Sequence, residues 1–312
     1  MNQESAAVVF PGQGTQRHGM GKDFFEAAAA SRQAFEEASD ALGWDVGDLC
    51  FGSSERLHLT EFAQPCILAT EIAMFRGIQS LYGFAPRYFG GHSLGEYTAL
   101  VAADAMSFAD ALKTVHIRGK LMQQASPPGA GAMAAVISQN LNESLIAGSL
   151  AGLPLDVANI NSADQVVISG RIDAMEKAEK RLQAAAGGDP AFRFVPLNVS
   201  APFHSRFMTG IKEAFREALH SVSERLNPEK ARLVTSNVTG RFHKGIRSGI
   251  IDDLVAQISQ SVRWRENMQA LAGRAATIYE IGPNRPLRNF FTSMGVSCQS
   301  VTSLSAAGRV FA

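Results

Sequence analysis

The sequence predicts an α/β protein in which a large domain, built on a parallel and helix-covered sheet, is interrupted by a small β-α-β-β-α-β domain. Three observations predict it. Short apolar runs end in glycine-rich turns and are followed by segments with apolar residues three and four apart, the alternation that builds a parallel sheet. The run Ser126-Pro127-Pro128-Gly129-Ala130-Gly131 cannot continue the helix before it, and the strands after it alternate differently. The chain has 312 residues, beyond the roughly 250 to 300 at which a single hydrophobic core stops growing.

Ala6 to Phe10 is an apolar run stopped by Pro11, Gly12 and Gly14, a buried strand feeding a tight loop. Phe24 to Leu42 and Pro65 to Tyr82 carry helical spacing, and Arg87 to Gly90 is a second short strand before another glycine-rich turn. A helix from about Ser107 to Gln124 has the apolar stripe Phe108, Ala111, Leu112, Val115, Gly119 and Met122. After the break come a strand (Ala132 to Ile137), a helix (Leu141 to Leu150), strands at Leu155 to Asn159 and Gln165 to Gly170, a helix (Ala174 to Ala186) and a strand (Phe192 to Leu197). That order is ferredoxin-like. A helix from Ser205 to Arg225 returns the chain to the large domain, which closes with short helices and with strands near Leu233, at Ala276 to Ile281 and at Val296 to Val301. The expected division is 1–128 with 199–312 as one domain and 129–198 as the insertion.

Composition narrows the function. Hydrophobic residues are 46% and charged residues 19% of the chain, which excludes disorder and repetitive fibres. Lys plus Arg and Asp plus Glu are 29 each, so no basic field exists to hold nucleic acid or anionic lipid. Cys50, Cys66 and Cys298 are odd in number and form no C-x-x-C, which supports neither a disulfide framework nor a zinc site and fits a reducing compartment. The N-terminus lacks the pattern of a secretory signal and no apolar run is long enough to span a membrane. A cytoplasmic location is expected.

The sharpest chemical signal is Gly91-His92-Ser93-Leu94-Gly95, a G-x-S-x-G between an expected strand and an expected helix. Glycines there allow the strained turn that presents Ser93 as a nucleophile, and the following helix aims its N-terminal amides at a developing oxyanion. The Phe10–Gln16 loop fails the dinucleotide pattern G-x-G-x-x-G because Arg17 stands at the third glycine. It is either a plain turn or the donor of a backbone N–H to an oxyanion hole beside the amide of Leu94. Of seven histidines, His18, His58, His116, His220 and His243 sit in polar, surface-like contexts. His92 adjoins the serine, but consecutive side chains in a turn diverge. His204, in Ala201-Pro202-Phe203-His204-Ser205, lies in a loop between strand and helix, where scaffolds present functional groups. Arg118 falls on the apolar stripe of its helix, a costly place unless an anion pairs with it. Its partner is either a protein carboxylate or one belonging to the substrate.

Taken together, these residues resemble the malonyl-CoA:acyl carrier protein transacylases and the related acyltransferase domains of polyketide synthases. The resemblance runs in order through FPGQGTQ (10–16), EFAQP (61–65), GHSLGEY (91–97), RGKLMQ (118–123), NSADQVVISG (161–170), APFHS (201–205), QISQSVRW (257–264) and EIGPNRPL (280–287). It implies an α/β-hydrolase-like large domain with a ferredoxin-like insertion. It also implies Ser93 as nucleophile, His204 as general base, Arg118 as ligand of the malonyl carboxylate, Gln13 and Leu94 as oxyanion amides, and Gln257 as a residue that orders the site. An aromatic residue at Phe203, as in the malonyl-selective members of the polyketide branch, implies preference for malonyl over methylmalonyl. The acids between serine and histidine, Asp156, Asp164, Asp173 and Asp189, all fall in the insertion; the resemblance implies a histidine oriented by main-chain carbonyls instead. Two residues depart from the family pattern: Thr15, where serine is frequent, and Ser261, where proline often precedes Val-x-Trp.

The activity implied is transfer of malonyl from malonyl-CoA to the phosphopantetheine thiol of an acyl carrier protein supplied in trans, with no metal or redox cofactor. A thioester hydrolase on the same fold is the alternative, and Arg118 argues for transfer.

Overall fold

The computed structural model describes residues 5–127, 129–199 and 201–312; Met1 to Glu4, Pro128 and Ser200, and with them part of the expected domain break, lie outside the described residues. In chain order the strands are β1 (Ala6–Phe10), β2 (Tyr88–Gly91), β3 (Gly131–Ile137), β4 (Leu155–Ile160), β5 (Gln165–Arg171), β6 (Arg193–Pro196), β7 (Thr277–Ile281) and β8 (Cys298–Val301). They form two four-stranded sheets, one parallel with order β2-β1-β7-β8 and one antiparallel with order β4-β5-β3-β6. Helices Glu143–Leu150 and Met175–Ala185 complete the β-α-β-β-α-β order read from the sequence.

Every residue of β1 is buried, as an inner strand of a helix-covered sheet requires. Its register pairs Phe10 with Gly91, so the loop after β1 and the turn after β2 leave the sheet side by side. In the antiparallel sheet, alternate residues of β3 serve different cores. Ala134 and Val136 pack in a core of the antiparallel sheet's own, whereas Met133 and Ala135 join the main core with Phe10, Leu94 and Tyr97. The period-two alternation of a strand thus lets one face of the antiparallel sheet pack on the core around the parallel one. A second tie is Ser261, whose hydroxyl donates to the carbonyl of Val157, while Val262 N–H donates to Ala158 O at 2.8 Å. The residue that departs from the family pattern anchors the Gln257–Trp264 segment to β4.

Several elements differ from expectation. Phe24 to Leu42 is not one helix: Ala28 is extended (φ −125°, ψ 124°) and separates Lys22–Ala27 from Ala29–Leu42. Nothing local marks this break, because tertiary packing sets it. Ser31 donates to Ala73 O at 2.7 Å, and a Cβ on Gly77 would lie 2.3 Å from Ser31 Oγ and 2.9 Å from Phe24 Cδ1. The Pro65 helix begins earlier, at Thr60, with Pro65 inside it. The expected Ser205 to Arg225 helix divides into 3₁₀ turns at Arg206–Ile211 and Ser223–Arg225 around an α-helix at Lys212–His220. The strand expected near Leu233 is an isolated parallel bridge between Phe89 and Val234.

Candidate active site

Ser93 occupies the turn between β2 and helix Gly95–Ala102 with φ +53°. A β-carbon on Gly91 would come within 2.0 Å of the Gly95 carbonyl, and one on Gly95 within 2.1 Å of Phe10 O. Only glycine fits either position, and the strain on Ser93 is held by that packing. The Ser93 N–H donates to Asn237 Oδ1 at 2.6 Å, which fixes the turn from the side.

His204 also has a left-handed backbone, φ +56°, and is 5% exposed. Its Nε2 lies 2.7 Å from Ser93 Oγ and its Nδ1 lies 2.7 Å from the main-chain oxygen of Gln257. A carbonyl can only accept, so Nδ1 carries the hydrogen and Nε2 presents a lone pair to the serine hydroxyl. Burial, and secondly the charge of Arg118, hold the imidazole pKa down at about 3. The four acids between serine and histidine go elsewhere: Asp156 pairs with Arg206, Asp173 with Arg171, Asp164 accepts from Ser162, and Asp189 accepts from Ser138.

Arg118 is 1% exposed and forms no ion pair among the described residues. Its Nη1 donates to Gln64 Oε1 at 2.9 Å; its Nη2 donates to Gln257 Oε1 at 2.8 Å and to Ser93 Oγ at 3.2 Å. The guanidinium lies 5.5 Å from the Tyr97 ring centroid, and its buried Nε has no hydrogen-bond partner among the described residues. Burial lowers its pKa, the mark of a cation short of counter-charge. The protein carboxylate that the sequence left open as a partner is not found among the described residues.

The Gln13 side chain is held at both ends, donating to Thr60 Oγ1 (3.1 Å) and accepting from Gln64 Nε2 (3.3 Å). Thr15 Oγ1 donates to Gly12 O at 2.8 Å, so threonine supplies the hydroxyl that closes this loop. Among the described residues the backbone N–H groups of Gln13 and Leu94 donate to no other group. The cavity in front of Ser93 measures about 260 Å³ and lies between the two sheets, with Gln13, Arg118 and His204 on one side and Met133, Val167 and Phe203 among its apolar walls. His92 turns away from Ser93: its Nε2 meets Asn161 Oδ1 at 2.9 Å and its ring packs on Trp264.

The structure thus gathers Ser93, His204, Arg118, Gln257, Gln13, Leu94 and Phe203. Reading residues one by one missed Gln64, Asn161 and Asn237. The first two lie inside quoted motifs, EFAQP and NSADQVVISG; Asn237 carries no sequence signal. His243 corrects an expectation, since it is 4% exposed rather than superficial. Three exposed residues, His18, Glu55 and His58, bring potential metal-ligand atoms within 4.8 Å of one another; none of them lines the cavity.

Comparison with known proteins agrees with this geometry. The acyl transferase domain family matches residues 7–293. A malonyl CoA-acyl carrier protein transacylase of Bacillus subtilis (strain 168) is 37% identical over 286 residues, covering 90% of this chain and 87% of that protein. The crystal structure of an acyl carrier protein S-malonyltransferase from Vibrio cholerae superposes with a TM-score of 0.89 at 35% identity, over 98% of this chain and 100% of that one. A structure of a type II PKS acyl-carrier protein in complex with its malonyl-transacylase gives 0.88 at 33% identity, over 99% of each chain.

Proposed function

The chain belongs to the acyl transferase domain family, and on that premise we propose that Ser93 carries a malonyl group from malonyl-CoA to the phosphopantetheine thiol of an acyl carrier protein. Ser93 Oγ attacks the thioester carbonyl while its proton passes to His204 Nε2. The Gln13 and Leu94 N–H groups receive the oxyanion. Collapse breaks the C–S bond, and the departing coenzyme A thiolate takes the proton back from His204. The carrier thiol then repeats the sequence in reverse: its proton goes to His204, its sulfur attacks the malonyl ester, and Ser93 leaves and is reprotonated.

The observation that carries this reading is Arg118, a buried guanidinium with only amide and hydroxyl partners among the described residues, 3.2 Å from Ser93 Oγ. A neutral acyl group would leave it uncompensated, whereas a malonyl carboxylate supplies the missing charge. Its unpartnered Nε and the Nη2 that now reaches Ser93 form the edge offered to that carboxylate. Gln257 serves the site twice, orienting His204 through its carbonyl and Arg118 through its side chain. Phe203, at the cavity wall, opposes an α-methyl group. Transfer is favoured over hydrolysis because a carboxylate anchor serves a donor acid rather than a generic acyl ester.

The same reading takes residues 1–128 and 199–312 as an α/β-hydrolase-like domain and 129–198 as a ferredoxin-like insertion, supported by the strand order β4-β5-β3-β6 and the separate small core. A cytoplasmic location is supported by three buried, free cysteines; among the described residues no helix is long and apolar enough to cross a membrane. Intact-protein mass spectrometry tests the core of the proposal. Malonyl-CoA should add one malonyl mass to the wild type and none to Ser93→Ala, and equal labelling of both would refute it.

A further inference from the structure

Behind the catalytic residues lies a buried polar network that the mechanism does not use. Glu96, in the first turn of helix Gly95–Ala102, and His243, in the loop beyond Val234, have side chains each 1% exposed, with His243 Nε2 3.0 Å from Glu96 Oε1. On its other side His243 Nδ1 lies 3.5 Å from Asp253 Oδ2. With Glu96 hydrogen-bonded at Nε2 and the Asp253 carboxylate facing Nδ1, the ring lies between two negative charges, which favours the imidazolium form. Burial opposes that charge, but the flanking carboxylates of Asp253 and Glu96 outweigh it and push the pKa up to about 9.

The second oxygen of Glu96 faces the active site. It accepts from Gln257 Nε2 at 2.6 Å and from Asn237 N–H at 3.1 Å. Gln257 therefore stands between a group that can only donate, Arg118, and one that can only accept, Glu96. Its amide has one orientation that satisfies both; turned over, its NH₂ would face the guanidinium and its oxygen the carboxylate. Asn237, anchored by the same Glu96 oxygen, holds the Ser93 N–H.

We propose that the buried Glu96–His243 pair is a positioning device for the substrate carboxylate, locking the Gln257 amide so that its oxygen aims the Arg118 guanidinium into the acyl cavity. His243 makes the buried Glu96 carboxylate tolerable, and Glu96 dictates which end of Gln257 Arg118 meets. The inference rests on the reading of Arg118 as the malonyl ligand. Glu96 and His243 themselves touch no reacting atom.

The test measures Ser93 acylation by malonyl-CoA and by acetyl-CoA in the wild type, in His243→Gln, and in both backgrounds combined with Arg118→Ala. His243→Gln should lower kcat/KM for malonyl-CoA by about 10- to 100-fold, mostly through KM, leave acetyl-CoA within about twofold, and cost nothing further once Arg118 is gone. Should that variant fail to fold, His243→Asn, which likewise removes the charge and leaves Glu96 with its hold on Asn237 in place, is measured instead, and the same selective loss is expected from it. An equal fall with both substrates, or the same cost with and without Arg118, makes the pair merely structural and overturns the inference. If Arg118→Ala is selective against malonyl-CoA and His243→Gln is not, only the positioning role fails. If Arg118→Ala is itself unselective, the underlying reading fails and the inference with it.

Discussion

Replacing Arg118 by alanine is the perturbation whose size follows most directly from the structure. The guanidinium is 1% exposed, is held by Gln64 and Gln257, and meets no carboxylate among the described residues. The free enzyme therefore already bears the cost of burying a cation, and the bound malonyl carboxylate is the charge that offsets it. Without Arg118 that carboxylate enters an apolar cavity unpaired, a loss of about 3 to 5 kcal/mol, or roughly 140- to 3,700-fold in kcat/KM at about 1.4 kcal/mol per decade. Acetyl-CoA has no carboxylate and should lose little or react faster. The fold should survive, because the group removed was itself buried without counter-charge. Rapid-quench acylation of Ser93 with the two thioesters, alongside thermal melting, reads all three quantities. A fall of equal size for both substrates, in a variant that melts like the wild type, would refute the assignment of Arg118 to the substrate.

His204→Ala should slow acylation by roughly 100-fold or more, the usual scale of a lost general base; an unchanged rate would move the base elsewhere. Because burial and Arg118 hold the His204 pKa at about 3, the imidazole is neutral above that pH, and acylation should show no acid limb near the ordinary histidine value of about 6.5. A limb there would contradict the burial of His204, and Arg118→Ala should move any observed limb upward by removing a nearby positive charge. Phe203→Ser should narrow the preference for malonyl- over methylmalonyl-CoA, expected at about 10- to 200-fold for one methyl, chiefly by admitting the larger substrate; equal slowing of both would mean that Phe203 only packs the His204 loop.

What was legible in the sequence was mostly local. The turn around Ser93 announced itself because its requirements are written in five consecutive residues, and the structure shows why glycine is demanded at 91 and 95. The separate antiparallel sheet was legible because a proline-glycine break and two strand-helix-strand runs need no distant partner. Contacts between remote segments were not. Ser93 and His204 are 111 residues apart, and Ser93 and Asn237 are 144 apart, so His204 was singled out by motif order and Asn237 was missed. The break at Ala28 falls in a run of alanines that permits a helix, and the close packing of Phe24 and Ser31 on the Gly77 turn lies outside what that run can show. His243 looked superficial between Arg241 and Lys244, yet Glu96 and Asp253 pull its ring inside.

The central claim is transfer through a malonyl-serine. Wild-type enzyme loaded with malonyl-CoA, freed of excess donor and mixed with a holo acyl carrier protein, should pass its malonyl mass to the carrier's phosphopantetheine thiol much faster than it loses that mass to water. An adduct that never forms on Ser93, or one that water removes as fast with the carrier present as without it, would contradict the account.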